Sequence, residues 1–360
     1  MDKVKKYSVF DEYLHQVEPA KREAAQLWGT AIGLQAVDGL KPSQYLVDSA
    51  KRNIDGEISI DDVHKLVNEY YQAKGNRSKI IDEEQEADKV SVNIAKLLSS
   101  DSVAFNYNGL VSTHRLIFDG VFHHAGKLRD YNITKREWVL EGDTVSYMYW
   151  QELKRAIEYD IEQERNFSYN NIDRKDIVKH ITKFVSGLWQ IHPFCEGNTR
   201  TTAVFTIQYL RSIGFPVDNS LFERYSWYFR NALVRANYKN VPKGIDYTPK
   251  FLECFFENLL FGTKWILRNR EMHLNWDGDI LQSANVAVSK CNFTADEMAV
   301  LRLVSRNAAI TQCELARAIG KSERTVKNIT KSLKDNNVLS RINGRRDGRW
   351  IIAPGVILED

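Results

Sequence analysis

Between Ile177 and Leu188 the apolar residues Ile177, Ile181, Phe184, Val185 and Leu188 fall at i, i+4, i+7, i+8 and i+11, one face of an α-helix. Such a stripe must be buried against other elements. Most of the 360 residues share its period: strand alternation is rare, and only seven prolines and nineteen glycines interrupt the chain. The expected fold is therefore mainly α. Helices are predicted from about Pro19 to Leu34, stopping at Asp38-Gly39, around Lys41 to Asn53, and over Ile60 to Tyr71. The polar, acidic run Gly75–Asp88 reads as a linker, and a helix-compatible block follows to about Asn269. Within it, Asn132–Asp143 carries β-branched residues closed by Gly142-Asp143, which predicts a short hairpin.

Asn275–Lys290 mixes Asp, Gly, Gln, Ser and Asn without a period and reads as a connection between domains. The predicted organisation is a helical module over 1–75, a linker with a leading helix over 76–94, a central domain over 95–275, a second linker over 276–290 and a small domain over 291–360. The net charge of +3 commits the whole chain to no polyanion. Cys195, Cys254, Cys291 and Cys313 lie far apart without a C-x-x-C pair, which argues against a disulfide framework or a structural zinc site and for a reducing, cytoplasmic setting. The start of the chain lacks the apolar core of a signal peptide. The most apolar window, Phe251–Phe261, contains Glu253 and Glu257, so no membrane span is expected.

The predicted helix ending near Gln190 runs straight into Ile191-His-Pro-Phe-Cys-Glu-Gly-Asn-Thr-Arg200, after which Thr201–Ile213 is helical again. A base (His192), a carboxylate (Glu196), a glycine (Gly197), an amide (Asn198) and a guanidinium (Arg200) thus stand within nine residues, just ahead of a helix N-terminus. Unpaired N–H groups at a helix start bind anions, and a glycine lets a phosphate approach the backbone. A carboxylate can hold magnesium beside phosphates, an arginine can meet phosphate oxygens in pairs, and a histidine can take a proton from a hydroxyl. Taken singly, each residue has a plainer reading: His-Pro as a helix stop, Glu196 as a solvated charge, Asn-Thr as cap material.

Together these residues resemble the signature of the Fic (filamentation induced by cAMP) family, H-P-F-x-[DE]-G-N-[GK]-R, at His192, Pro193, Phe194, Glu196, Gly197, Asn198 and Arg200. Thr113–Ile133 resembles the segment leading to the family's target-positioning flap, and Tyr225–Asn237 the helix that follows, so the likeness covers about residues 95–270. It implies a Fic-type helical bundle with a β-hairpin flap, and transfer of adenylate from ATP to a Ser, Thr or Tyr hydroxyl of a protein. In that reading His192 is the base, and Glu196 holds Mg²⁺. Gly197, Asn198 and Thr199 form the phosphate cradle, and Arg200 neutralises the leaving pyrophosphate. The flap, from Asn132, Ile133, Thr134 and Lys135 to about Val139, would clamp the target as an added strand.

Two positions depart from the pattern. Thr199 replaces the family's Gly or Lys, which leaves phosphotransfer or removal of adenylate as alternative chemistries, and Ala203 replaces a second arginine found in many autoinhibited members. The family's inhibitory helix, [ST]-x-x-x-E-[GN], is resembled at Leu34–Gly39 with Leu34 for Ser or Thr and Asp38 for Glu, which implies a regulatory role for Asp38 and Gly39 without the usual partner arginine. The alternative is that Asp38-Gly39 is only a helix C-terminus. Cys195 fills the variable position, and His114, His123, His124 and His180 show no metal-ligand spacing.

Thr294-x-x-Glu297 and Thr311-x-x-Glu314 are capping boxes before helical runs. A third helix from Ser322 places Val326, Ile329 and Leu333 on one face, and Ser340–Ile352 reads as two strands about the Asn343-Gly344 and Asp347-Gly348 turns. The pattern resembles a winged helix-turn-helix. From Lys321 to Arg349 nine basic residues stand against three acidic ones. Arg324, Lys327 and Lys331 on the third helix, with Arg345, Arg346 and Arg349 on the wing, are DNA-contact candidates. The expected partners are ATP, a protein substrate and DNA, with a homodimer left open. A DNA-binding regulator whose Fic domain only senses nucleotide is the reading from a different class.

Overall fold

A computed structural model of the chain describes residues 9–14, 18–73, 79–100, 104–215, 217, 220–276, 294–335, 338–342 and 349–352. They contain fourteen α-helices and one antiparallel strand pair. The chain divides into two compact units, 1–276 and 277–360.

In the first unit the helices are α1 (Asp11–Leu14), α2 (Pro19–Gly33), α3 (Gln44–Ile54), α4 (Ile60–Ala73), α5 (Lys79–Leu98), α6 (Tyr107–Ile117), α7 (Leu153–Arg165), α8 (Arg174–Ile191), α9 (Asn198–Ser212), α10 (Ser220–Asn237) and α11 (Lys250–Phe261). Their starts are fixed locally. Pro19 sits in the first turn of α2, where a missing N–H loses nothing, and Ser43, Asn106 and Asp173 accept the N–H groups of Leu46, Gly109 and Asp176 to cap α3, α6 and α8. The stripe Ile177, Ile181, Phe184, Val185 and Leu188 is buried on α8 as its period demands.

The N-terminal helices are not a separate body. They share one hydrophobic core with α6–α11, and α2 packs on both α5 and α10. The approach is close because α2 presents glycine there: a Cβ on Gly33 would come within 2.4 Å of the Glu223 Cα. The Gly33 carbonyl accepts the Ser226 hydroxyl at 2.7 Å. After α2 a 3-10 turn, Leu34–Asp38, ends on Gly39 at φ 75, the left-handed stop expected of Asp38-Gly39.

Two expectations are corrected. The acidic run read as a linker is helical from Lys79, since α5 buries Ala87, Val90, Ile94 and Ala95. Its Asp88 is internal, accepting Ser43 N–H (2.8 Å), Ser43 Oγ–H (2.5 Å) and Tyr71 O–H (2.8 Å), which ties α3, α4 and α5 together. The hairpin expected over 132–143 turns back but forms no ladder. Its main chain is held instead by Lys135 N–H to Thr144 Oγ1, Glu137 N–H to Asp143 O, and a 3-10 turn at Trp138–Leu140. Buried Glu137, ion-paired to Arg230 at 2.7 Å, anchors the segment to α10 rather than to a partner strand.

The second unit contains α12 (Ala295–Arg306), α13 (Gln312–Ala318), α14 (Glu323–Asp335), β1 (Leu339–Ile342) and β2 (Arg349–Ile352). Both capping boxes form, with Thr294 and Thr311 each exchanging bonds with the glutamate three residues on. Val326 and Leu333 of α14 are buried with Val300, Leu301 and Leu315, and Leu339 pairs with Ile352 across the strands. The turns at 343–348, the connection at 277–290 and Cys291 lie outside the described residues.

Candidate active site

The loop 192–197 joins two helices end to start. α8 stops because His192 takes the left-handed conformation (φ 50, ψ 59), its N–H closing on Trp189 O at 3.1 Å, with Pro193 next in the chain. α9 starts from Gly197 at φ 75, where a Cβ would come within 2.1 Å of the Phe118 ring, so both the conformation and the space require glycine.

His192 is 3% exposed, stacked obliquely on Tyr147 with ring centroids 4.3 Å apart, and neither ring nitrogen has a hydrogen-bond partner among the described residues. Burial, and then the positive charges of Lys135, Arg129 and Arg230, push it well below the ordinary imidazole range, so it is neutral at pH 7. Tyr147 donates to Glu137 at 3.3 Å, and Arg230 pairs with the same carboxylate. The Glu196 carboxylate is largely exposed and meets Lys135 Nζ at 3.2 Å. Lys135 is the one flap candidate that reaches the loop. Asn132 Oδ1 accepts Trp150 N–H at 3.0 Å, Thr134 is exposed and Ile133 half-buried.

Other motif residues serve the loop itself. Asn198 Oδ1 accepts Phe194 N–H (2.9 Å) and its Nδ2 donates to Phe194 O (2.7 Å), so this amide closes the loop and is not free for the phosphate role expected of it. Thr199 Oγ1 accepts the Trp189 indole N–H at 3.0 Å, which turns the extra hydroxyl back onto α8. The first-turn N–H groups of α9 remain outside the helix's own ladder.

Arg200 is 1% exposed, lies over the Phe118 ring at 4.8 Å and is gripped by residues preceding the loop. Nη2 donates to Glu86 Oε1 (2.9 Å) and Nη1 to Gln35 Oε1 (3.1 Å). Nε lies 2.9 Å from Asp38 Oδ2, as an ion pair off the N–H axis. The expectation that Asp38 lacks a partner arginine is thus corrected: without a second arginine at 203, the carboxylate meets Arg200 itself.

Several contributors carry no motif. His114, fully buried and stacked on Phe194 at 3.8 Å, accepts Gly126 N–H on Nδ1 (2.8 Å), which leaves Nε2–H to donate to Glu196 O (3.1 Å). Burial pushes it down to about 4. Arg129, Glu86, Gln35, Glu137, Tyr147 and Arg230 are likewise drawn in by the fold alone, with only their lengths and charges as a signal.

The basic candidates of the second unit are placed as expected where described: Arg324, Lys327 and Lys331 are exposed on α14 and Arg349 on β2, while Arg345 and Arg346 lie outside the described residues. Among the described residues no group of three or more His, Cys, Asp or Glu could hold a metal, and no helix is long and apolar enough to cross a membrane.

Residues 104–210 match the Fic/DOC family and residues 297–340 a winged helix-turn-helix DNA-binding family. No curated protein matches the chain. Among solved structures, a Fic family protein from Desulfovibrio desulfuricans G20 is 16% identical, with 96% of this chain and 93% of that one covered and a TM-score of 0.45. The N-terminal Fic domain of a VirB-translocated Bep effector protein from Bartonella quintana with bound ADP is 17% identical, over 52% of this chain and 87% of that one, with a TM-score of 0.42. The chain therefore carries a Fic/DOC domain, the mark of a Fic-type transferase, and a C-terminal winged helix-turn-helix domain.

Proposed function

We propose that the chain transfers adenylate from ATP to a Ser, Thr or Tyr hydroxyl of a protein, under restraint by its own N-terminal helices. The observation that carries this reading is His192: a buried, neutral imidazole with both ring nitrogens unpartnered among the described residues, beside a helix start and an arginine. A base in that state can take a proton as the target oxygen bonds to the α-phosphorus, the bond from that phosphorus to the bridging oxygen breaks, and pyrophosphate leaves. The α9 N–H groups, Gly197 and Arg200 would meet the phosphates. Magnesium would neutralise developing phosphate charge; a single exposed carboxylate, Glu196, with phosphate oxygens and water suits that ion, which is commonly held by one or two carboxylates. Thr199 is turned onto Trp189, so its hydroxyl is withdrawn from the cradle, and the mass of the transferred group separates adenylate transfer from the other chemistries.

Restraint is supported by Asp38 and Glu86, which already occupy the guanidinium that phosphate needs. The exposed cations of α14 support DNA contact by the second unit, a role for which the family match gives the context. The test is intact-mass spectrometry of the full chain after incubation with ATP and Mg²⁺, beside His192→Ala and Asp38→Ala. An adenylate-sized addition, lost in the first and raised in the second, is expected. A phosphate-sized addition, or none while ATP binds, refutes self-adenylylation.

A further inference from the structure

Arg129 is a buried residue that the transfer chemistry above leaves unused. It is 2% exposed, and among the described residues no carboxylate pairs with it, an expensive state for a group that keeps its proton in proteins. Main-chain carbonyls surround it instead. Nε–H donates to His192 O (2.8 Å), Nη1 to Tyr131 O (2.6 Å), and Nη2 to Met148 O (2.5 Å) and Ile191 O (3.3 Å). Its own N–H reaches Pro193 O at 2.9 Å. The side chain therefore joins two consecutive carbonyls at the base, Ile191 and His192, to the two arms of the flap segment, Tyr131 just before it and Met148 just after it, while the Arg129 main chain takes the next carbonyl.

Resting on the adenylate-transfer reading, we propose that Arg129 is a positioning residue: it holds His192 in its left-handed turn and fastens the flap arms at Tyr131 and Met148 to that same turn. A non-glycine residue does not keep such a turn without support, and here the support is a hydrogen bond to its own carbonyl. The flap and the base then move as one body, so a target backbone laid along the flap meets the imidazole in a fixed register. The charge acts as well. The groups facing His192 are Trp189 on α8, Tyr147, Lys135 from the flap, Arg230 from α10 with its partner Glu137, and Arg129, with Glu196 on its own loop. Arg129 is one of three cations that disfavour protonation of the base.

Span and charge can be separated, because lysine keeps the charge but presents its donors from one nitrogen and cannot reach both flap arms and the turn. The experiment compares the full chain with Arg129→Lys and Arg129→Gln. Transfer is followed from ATP and Mg²⁺, ATP binding by calorimetry, and the histidine ring C–H resonances by NMR, with His192 assigned through His192→Ala. Expected in Arg129→Lys is a fall in transfer of at least about tenfold with ATP affinity changed less than about twofold, since misplacement of a base by about 1 Å is enough. The His192 resonance shifts or splits while that of His64 on α4 stays. In Arg129→Gln transfer falls as far, and His192 begins to titrate upward toward its ordinary range. If the parent chain shows no transfer to itself, self-adenylylation fails, and the His192 resonance alone decides the positioning role. Unchanged transfer in Arg129→Lys, or a His192 resonance unmoved in both variants, overturns the proposal. A variant that unfolds moves all eight histidine resonances together, and the other then decides.

Discussion

Replacing Asp38 by alanine and Glu86 by glutamine removes both carboxylates that hold Arg200. Each contact is a charge-assisted pair at 2.9 Å to a guanidinium whose side chain is 2% exposed, but the carboxylates are 32% and 24% exposed. The Glu86 contact is a hydrogen bond to a charged group, about 1.5–3 kcal/mol before screening, and the Asp38 contact an ion pair without one; partial exposure brings each to about 1 kcal/mol. If nucleotide phosphates must displace both, the double variant binds ATP about 2 kcal/mol more tightly, roughly thirtyfold, and each single variant about fivefold. The unliganded protein should move the other way. A buried arginine left without its carboxylates loses about 2 kcal/mol of folding stability, a fall in Tm of roughly 4–8 °C for a unit of this size. Calorimetric titration with ATP and Mg²⁺, beside melts with and without nucleotide, reads both effects: a lower starting Tm and a larger rise on adding ATP. A double variant whose unliganded melt has fallen but whose ATP affinity is equal to or weaker than the parent's would refute the claim that these carboxylates compete with phosphate.

Acid should destabilise the first unit through its buried histidines. His114 stands at about 4 when folded and near 6.5 when unfolded, so its contribution is intact above about pH 6.5. As pH falls the unfolded chain takes up the proton first, and about 1.4 kcal/mol is lost per unit, reaching about 3 kcal/mol near pH 4. His192, also depressed, adds in the same direction, and His114→Gln should flatten the slope of urea-unfolding free energy against pH. Gly197→Ala, which meets Phe118 and needs positive φ, should cost about 3 kcal/mol or more, whereas Gly39→Ala, with open space around it, should cost about 1 kcal/mol; equal denaturation midpoints would contradict the close approach. Asn198→Ala should lower stability by about 2 kcal/mol by opening the 194–198 closure, while Glu196→Gln should change it by less than about 0.5 kcal/mol yet depress transfer. Lys327→Ala and Lys331→Ala should each lower the salt dependence of DNA binding by about one unit of slope in fluorescence titrations, and no change would remove α14 from the interface.

The sequence was most informative where a local rule decides the outcome. The 3.6-residue stripe of α8, the stop at Gly39, the two T-x-x-E boxes and the loop between α8 and α9 are all settled by residues within a few positions of one another. It was least informative where partners are distant. The acidic residues of 82–88 look like a solvated linker until α5 folds and places Glu86 on Arg200 and Asp88 on Ser43 and Tyr71. The flap reads as a strand pair by composition, yet buried Glu137 and its bond with Arg230 draw the main chain away from a ladder. Asn198 shows the same limit inside the motif, because its side chain could serve a ligand or the loop, and only the geometry shows that it serves the loop.

The same geometry separates the residues that build the loop from those left for chemistry. Gly197, Asn198, Thr199 and the buried His114 and Arg129 each have a fixed partner inside the fold, and removing any of them leaves a void, a clash or a buried polar group unsatisfied. Three motif residues differ. Among the described residues the His192 ring has no hydrogen-bond partner, the Glu196 carboxylate meets a lysine screened by solvent, and Arg200 has carboxylates from α5 and the 3-10 turn after α2 that another anion can replace. A base without a partner, a carboxylate free to change partners and a cation held by exchangeable anions are the three functions that transfer of a nucleotide phosphate requires. One of the three is held from outside the 104–210 match, Arg200 by Asp38 and Glu86; the flap beside the base lies within the match and is pinned from outside it by Leu274 N–H on Val139 O. On the proposed reading, substitutions at Asp38 and Glu86, which precede the family domain, should alter nucleotide access without altering the residues that carry out the transfer.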